Sequence, residues 1–320
     1  MAELNWTEAQ WQKVNGAVTE AFGKVSVASA FLPCYGPLPG SAETVRNERL
    51  KEDHTSTPTT LRLDGDHDAV NLKLVNLTVN VLLSSEQVAD ESLSNALLAF
   101  RRAGSILAQE EDQIVFGGLG VGPQADDSKF VANRIELQRG LADLDASRRF
   151  PELAGGVPVN QAVVSAVVKS IHRLEDNFHP GPFACVLGNE LFDAVHDPSP
   201  ALVLPADRIT PLLKGGPLLR SGKMKVYTGI VVSLADNAVD IVVGTPPTAQ
   251  FLQRTADAKF LFRVYERFAL RMRDAAPPVA GFRMPTTRAQ RNAEQQKLNL
   301  GAAERDLAKA QQERDNLPMN

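Results

Sequence analysis

The stretch TLRLDGDHDAVNLKLVNLTVNVLL, residues 60–83, constrains the fold more than any other part of the chain. Val75, Leu77, Val79, Val81 and Leu83 alternate with Asn76, Thr78 and Asn80, the pattern of a strand with one apolar face. Asp64-Gly65 is a turn signal between extended segments, so the spacing predicts a long hairpin over residues 58–83, projecting from the body. A hairpin with one apolar edge is not stable alone in water; it needs a sheet or another chain to pair with. The polar run 43–60, ETVRNERLKEDHTSTPTT, carries charges of both signs and reads as a mobile loop.

The opening segment makes a similar demand. Thr7 and Gln10 have capping-box spacing, and Trp6 and Trp11 stand at the two positions of a hydrophobic staple. Trp11, Val14, Val18, Ala21, Phe22 and Val25 recur at helical spacing, which predicts a helix over 7–25 with one apolar stripe. Gly16 costs such a helix about 1 kcal/mol relative to Ala, so packing must hold it. Pro33, Gly36, Pro37, Pro39 and Gly40 then impose a stiff, bent arm.

Further along, Leu93, Ala96, Leu97, Phe100, Gly104, Leu107 and Ile114 repeat at helical spacing, predicting a long helix of roughly 33 Å. GGLGVGP, 117–123, is a turn, and 124–156 is irregular and polar. A second helix, NQAVVSAVVKSIHRLEDNF, ends at His179-Pro180-Gly181-Pro182. FACVLG, KVYTGIVVSL, AVDIVVGT, AQFLQRT and AKFLFRVYERFALRM read as strands, with NELFDAVHD and RITPLLKGG as short helices. Helices and antiparallel strands interleave without a βαβ rhythm, so the fold class is α+β. Residues 286–320 form a charged helical extension, in which Ala293, Leu300 and Leu307 lie seven apart; a short coiled coil and a solvated helix both fit.

A chain of 320 residues with 43% hydrophobic residues is long enough for one large or two ordinary domains. A net charge of -4 and a pI near 5.8 supply no basic excess for nucleic acid or an anionic membrane. No run approaches the roughly 20 apolar residues of a membrane helix, and no secretory pattern opens the sequence. Cys34 and Cys185 are too few for a disulfide framework, and the expected location is the cytoplasm.

Candidate chemistry weakens on inspection. In GGPLLRSGKM the glycine spacing is one residue too long for a phosphate loop, and Met224 stands where Ser or Thr is needed. Gly117, Gly118, Gly120 and Gly122 do not make a dinucleotide fingerprint. His172 and Glu175 lack the companion ligands of a carboxylate metal site, and Glu110, Glu111 and Asp112 read as the solvated polar end of the long helix. His196 and Asp197 sit in a loop tip with no nucleophile and base beside them. No cofactor, metal or enzymatic activity is expected.

The order of parts nevertheless resembles a known family. An amphipathic first helix, the YGPLPG arm, a projecting hairpin, a long helix closing on EEDQIVFGGLGVGP, then GPFACVLGNELFDAV, GGPLLRSGKMKV and a strand-rich end are similar to an encapsulin shell protein over residues 5 to about 285. That family shares the fold of tailed-phage major capsid proteins. The resemblance implies an N-terminal helix and arm over 1–42, an extended loop over 43–83 that overlaps a neighbouring subunit, and a peripheral domain over 84–186 and 235–285. It also implies an axial domain over 187–234. The 286–320 extension, like the apparent insertion at 124–156, departs from compact members. Trp11, Val14, Val18 and Phe22 become candidates for binding a cargo-targeting peptide, with simple core packing as the alternative. His196, Asp197, Pro198 and Ser199 become a candidate pore rim.

Three functions remain in view: a self-assembling icosahedral nanocompartment enclosing a cargo enzyme and admitting small solutes, a phage or prophage major capsid protein, and a small-molecule enzyme of unrecognised α+β fold. The first implies a homo-oligomer and a cargo protein as partners, with neither nucleic acid nor membrane.

Overall fold

A computed structural model of the chain describes residues 4–53, 59–64, 70–118, 140–142, 158–198, 203–274 and 276–284. In chain order it contains helix α1 (Glu8–Val25), strands β1 (Cys34–Tyr35), β2 (Thr44–Asn47), β3 (Arg49–Asp53), β4 (Thr60–Asp64), β5 (Val70–Lys73) and β6 (Val75–Leu83), and helices α2 (Ser85–Ala89), α3 (Ser94–Gly117) and α4 (Val159–Asp176). Strand β7 (Phe183–Leu187), helices α5 (Asn189–Val195) and α6 (Pro205–Ile209), and strands β8 (Leu218–Arg220), β9 (Thr228–Ser233), β10 (Val239–Arg254), β11 (Phe260–Met272) and β12 (Val279–Arg283) complete it.

The first layer pairs two helices with a sheet. The sheet runs in the order β1-β10-β11-β6, with β1 parallel to β10 and the other pairs antiparallel. α1 and α3 cover one face. The N-terminus of α1 is capped as its sequence demands: the Gln10 amide donates to Thr7 Oγ1 at 3.3 Å and the Thr7 amide to Gln10 Oε1 at 2.8 Å. Trp6 meets Trp11 edge-on with ring centroids 5.2 Å apart and stacks on Phe262 of β11 at 4.9 Å, joining the staple to the sheet. The two helices approach so closely at Gly104 that a Cβ there would lie 2.6 Å from the Val18 carbonyl oxygen.

The second layer is a sheet in the order β12-β9-β7-β8. Phe183, Cys185 and Leu187 of β7 face a cluster built with α4, α5 and α6, while Ala184 and Val186 face the first core. This sheet is a wall common to both halves. α4, which the family resemblance assigns to the peripheral domain, and the Phe183, Cys185 and Leu187 side of β7 pack in the second cluster with α5 and α6.

α4 ends in a Schellman arrangement. The Phe178 amide donates to the Glu175 carbonyl at 3.0 Å and the His179 amide to the Leu174 carbonyl at 2.8 Å. The left-handed position usually given to glycine is held by Phe178, a residue with φ 63° that is 76% exposed.

Three sequence expectations change. Residues 58–83 do not form one hairpin around Asp64-Gly65: β4 pairs with β3, β5 with β2, and β6 leaves for the main sheet beside β11. The run expected to be a loop, 43–60, supplies β2 and β3. The reason is that β6 carries the apolar face and is drawn to the large sheet, while the polar strands pair with one another, β3 with β4 and β2 with β5. AVDIVVGT and AQFLQRT are one strand, β10, whose register shifts around Thr245 and Thr248. Pro246 and Pro247 are tolerated because they fall where the β10–β11 register shifts, between Thr245 and Thr248, and among the described residues β1 pairs with β10 only at Ile241 and Val242. The insertion at 124–156 and the extension at 286–320 lie outside the described residues, except for 140–142. There Leu141 is buried, its amide donating to the Val115 carbonyl at 2.8 Å.

Candidate functional site

The ribbon of β3 and β4, the projecting arm of the extended loop 43–83, carries exposed apolar surface. β3 and β4 pair residue for residue from Arg49↔Asp64 to Asp53↔Thr60. Among the described residues this ribbon joins no further strand except through a bridge from Leu50 to Asp274, reinforced by the Leu50 amide donating to the Arg273 carbonyl at 2.6 Å. Leu61 and Leu63, two apart on one face, are 61% and 62% exposed. The base of the arm is tied down where the Leu74 amide donates to the Glu43 carbonyl at 3.0 Å. Near it, Arg271 holds buried Asp240 through Nε and a terminal nitrogen at 2.9 and 2.5 Å, and Arg273 adds a third bond at 2.7 Å. The sequence points to a projecting hairpin but not to these two leucines, whose i, i+2 spacing amid polar neighbours is the signal.

Of the four candidate cargo residues, Val14 and Val18 are completely buried and Phe22 nearly so, all three in the core shared with α3 and the main sheet. Trp11 is half-buried at the rim. The Ala249 amide of β10 donates to Asn15 Oδ1 at 2.9 Å, fixing the roll of α1. Its outward side carries Glu8, Ala9, Gln12, Lys13, Gly16, Thr19, Glu20, Gly23 and Lys24.

At the axial loop, His196, Asp197 and Pro198 are exposed beyond α5, and Ser199 lies outside the described residues. His196 stacks near Phe192 at 4.3 Å, its Nδ1 2.8 Å from the Phe192 carbonyl, and the Arg220 guanidinium lies 5.8 Å from the centre of the Phe192 ring.

One expectation is overturned. Glu111 and Asp112, expected on a solvated helix end, are 2% and 3% exposed. Asp112 accepts from the Val27 amide at 2.9 Å and the Ala28 amide at 2.8 Å, and Ser26 Oγ donates to Glu111 at 3.1 Å. They became buried because the turn after α1 folds over this end of α3, which no local pattern signals. Burial, with the neighbouring Asp112 charge second, pushes the Glu111 carboxyl up to about 8 against the pull of the Ser26 and Ser29 hydroxyls. Burial raises Asp112 to about 6, resisted by the Val27 and Ala28 amides. Burial likewise raises the thiol of Cys185 to about 12.

Among the described residues no group of three or more His, Cys, Asp or Glu is arranged to hold a metal ion, and no helix is long and apolar enough to cross a membrane.

Comparison with known proteins follows the same lines. The family described as encapsulating protein for peroxidase matches residues 138–269. The type 1 encapsulin shell protein EncA of Myxococcus xanthus is 24% identical over 284 residues, covering 85% of this chain and 92% of that protein. The resemblance is to the encapsulins. In structure, the virus-like particle from Pyrococcus furiosus superposes with a TM-score of 0.61 at 13% identity, covering 86% of this chain and 100% of that one. The capsid of Myoviridae phage XM1 superposes with a TM-score of 0.53 at 12% identity, covering 82% and 92%. The fold is thus the one that encapsulins share with tailed-phage major capsid proteins, of mixed α+β class.

Proposed function

We propose that this encapsulin-like chain is a structural rather than catalytic protein, which assembles with copies of itself into a closed icosahedral shell around a cargo protein. The observation that carries this reading is the arm. A two-stranded ribbon of five-residue strands with two exposed leucines is not stable in isolation, and a neighbouring subunit supplies what it lacks. Repetition of one such contact by symmetry makes the assembly cooperative.

In this reading residues 43–83 are the overlapping loop and the sheet β1-β10-β11-β6 with α1 and α3 is the peripheral body. The axial body is the second sheet with α4, α5 and α6, whose loop at 196–199 rims a pore for small solutes. A cargo peptide lies along α1: Trp11 offers surface to it, while Val14, Val18 and Phe22 act from beneath by seating the helix on α3. The compartment is cytoplasmic and its interior holds protein rather than nucleic acid.

The test is size-exclusion chromatography followed by negative-stain microscopy of the intact chain and of a deletion of residues 50–70. Uniform hollow particles from the intact chain, lost or altered in the deletion, are expected. A small discrete oligomer from the intact chain under several salt and pH conditions would sink the shell reading, and normal shells from the deletion would refute the role of the arm. Particles filled with nucleic acid would instead favour a phage-type capsid.

A further inference from the structure

Outside the surfaces described above, the least expected chemistry in the molecule is the carboxylate nest beneath the turn that follows α1. Glu111 and Asp112 come from α3, and a third buried carboxyl, Glu266, stands on β11 of the sheet that α3 covers. Glu266 lies on the core-facing row of β11 with Val264 and Phe268, is 3% exposed, and its Oε1 has no hydrogen-bond partner. Its ionisation is opposed first by burial and then by the charges of Glu111 and Asp112.

The surroundings offer few counter-charges. From the turn come only neutral groups, the hydroxyls of Ser26 and Ser29 and the amides of Val27 and Ala28. Lys223 reaches toward the nest, lying 3.9 Å from Glu110 and lowering Asp112 only weakly. Asp240 is engaged by Arg271 and Arg273. It and Glu111 both press on the Cys34 thiol from the β1 side and raise it, after burial. Among the described residues no cation lies within 4.0 Å of Glu111, Asp112 or Glu266.

We propose that Glu111, Asp112 and Glu266 form a proton-operated seat, which holds the turn after α1 on α3 and β11 more firmly in mild acid than at alkaline pH. Asp112, whose oxygens cap the two turn amides, is the member that carries charge at neutrality. Glu111 is the member that stays neutral beside it, and burial and the same charges favour the neutral form of Glu266. All three hold their protons more tightly folded than unfolded. The ordinary values are 3.8 for the aspartate and 4.5 for the glutamates, while Asp112 and Glu111 titrate near 6 and 8 when folded. Across that window the folded chain carries protons that the unfolded chain has released. The contribution of these three groups to stability is therefore greatest below about pH 4 and falls as pH rises through the folded values of Asp112 and Glu111. The seat lies within one chain, so the inference does not rest on the shell reading.

The experiment is thermal unfolding of the full chain between about pH 5 and pH 8.5 for the wild type, Glu111→Gln and Glu266→Gln, with light scattering at each pH to confirm a constant oligomer. The wild-type Tm is expected to fall by several degrees across this range, and each variant to show a shallower slope. Parallel slopes in all three proteins, or a flat wild type, would overturn the proposal. Should either variant fail to fold, infrared titration of the wild type decides. A carbonyl band from a buried protonated carboxyl group is expected at pH 7 and is lost on alkalinisation; its absence at pH 7 also overturns the proposal.

Discussion

Gly104→Ala is the substitution for which the structure makes the least intuitive forecast. In an exposed helix interior, replacing Gly by Ala stabilises by about 1 kcal/mol. At Gly104 the new methyl would lie 2.6 Å from the Val18 carbonyl oxygen and 3.3 Å from its carbonyl carbon and Cα, all of them backbone atoms that cannot rotate away. Restoring ordinary contact moves α1 off α3 by roughly 0.8 Å, loosening the layer in which Val14, Val18 and Phe22 are buried. Overpacking of this kind costs about 1–3 kcal/mol, which outweighs the propensity gain and leaves a net loss of about 1 kcal/mol. Gly16→Ala is the matched control: it lies inside α1 on the solvent side with nothing within 4 Å, so the full gain of about 1 kcal/mol is expected there. The two variants should melt roughly 4 °C apart on opposite sides of the wild type, with urea midpoints ordered the same way and unchanged m values. If Gly104→Ala were as stable as Gly16→Ala, the tight crossing of α1 and α3 would be wrong.

Two further outcomes are expected. Leu61→Asp combined with Leu63→Asp should leave the Tm of the subunit nearly unchanged, since both side chains are largely exposed, yet shift the elution profile from assembled to small species; shells in normal yield would show that the leucines make no contact between copies. Asp240→Ala should cost about 3–5 kcal/mol because it strands the buried Arg271 guanidinium without its partner, and a Tm within a degree of wild type would contradict the bidentate geometry.

Much of the architecture could be read in advance where the signal was local. The Thr7–Gln10 box and the tryptophan staple located α1, and the apolar periodicities of α3 and α4 survive in the structure with small changes at their ends. The alternation from Val75 to Leu83 marked β6 correctly but could not name its partner, because β11 lies far along the chain and pairing is decided by which sheet can bury that face. Asp64-Gly65 was misleading for the same reason: a turn signal fixes a bend, not the strands it joins. AVDIVVGT and AQFLQRT read as two strands because nothing local indicates that Pro246 and Pro247 can sit in a register shift of one continuous strand.

The candidate site was less legible. Val14, Val18 and Phe22 lie on a stripe that would look the same whether it met a guest peptide or the chain's own α3. Glu111 and Asp112 are charged residues at the end of a helix, the usual mark of a solvated terminus, and their burial depends on a turn some eighty residues earlier and a strand about 150 residues later. Phe178 broke a local preference outright, holding a backbone conformation in which glycine is favoured.

The common wall formed by β12, β9, β7 and β8 has a consequence for how the molecule comes apart. With Ala184 and Val186 turned to one core and Phe183, Cys185 and Leu187 to the other, melting either half uncovers one complete side of the sheet on which the remaining half depends. Neither half therefore has an independent melting point within the described residues. The two cores give way together, and a lesion in α4 or α5 is felt as a lower melting point of both described cores, including around the root of the arm.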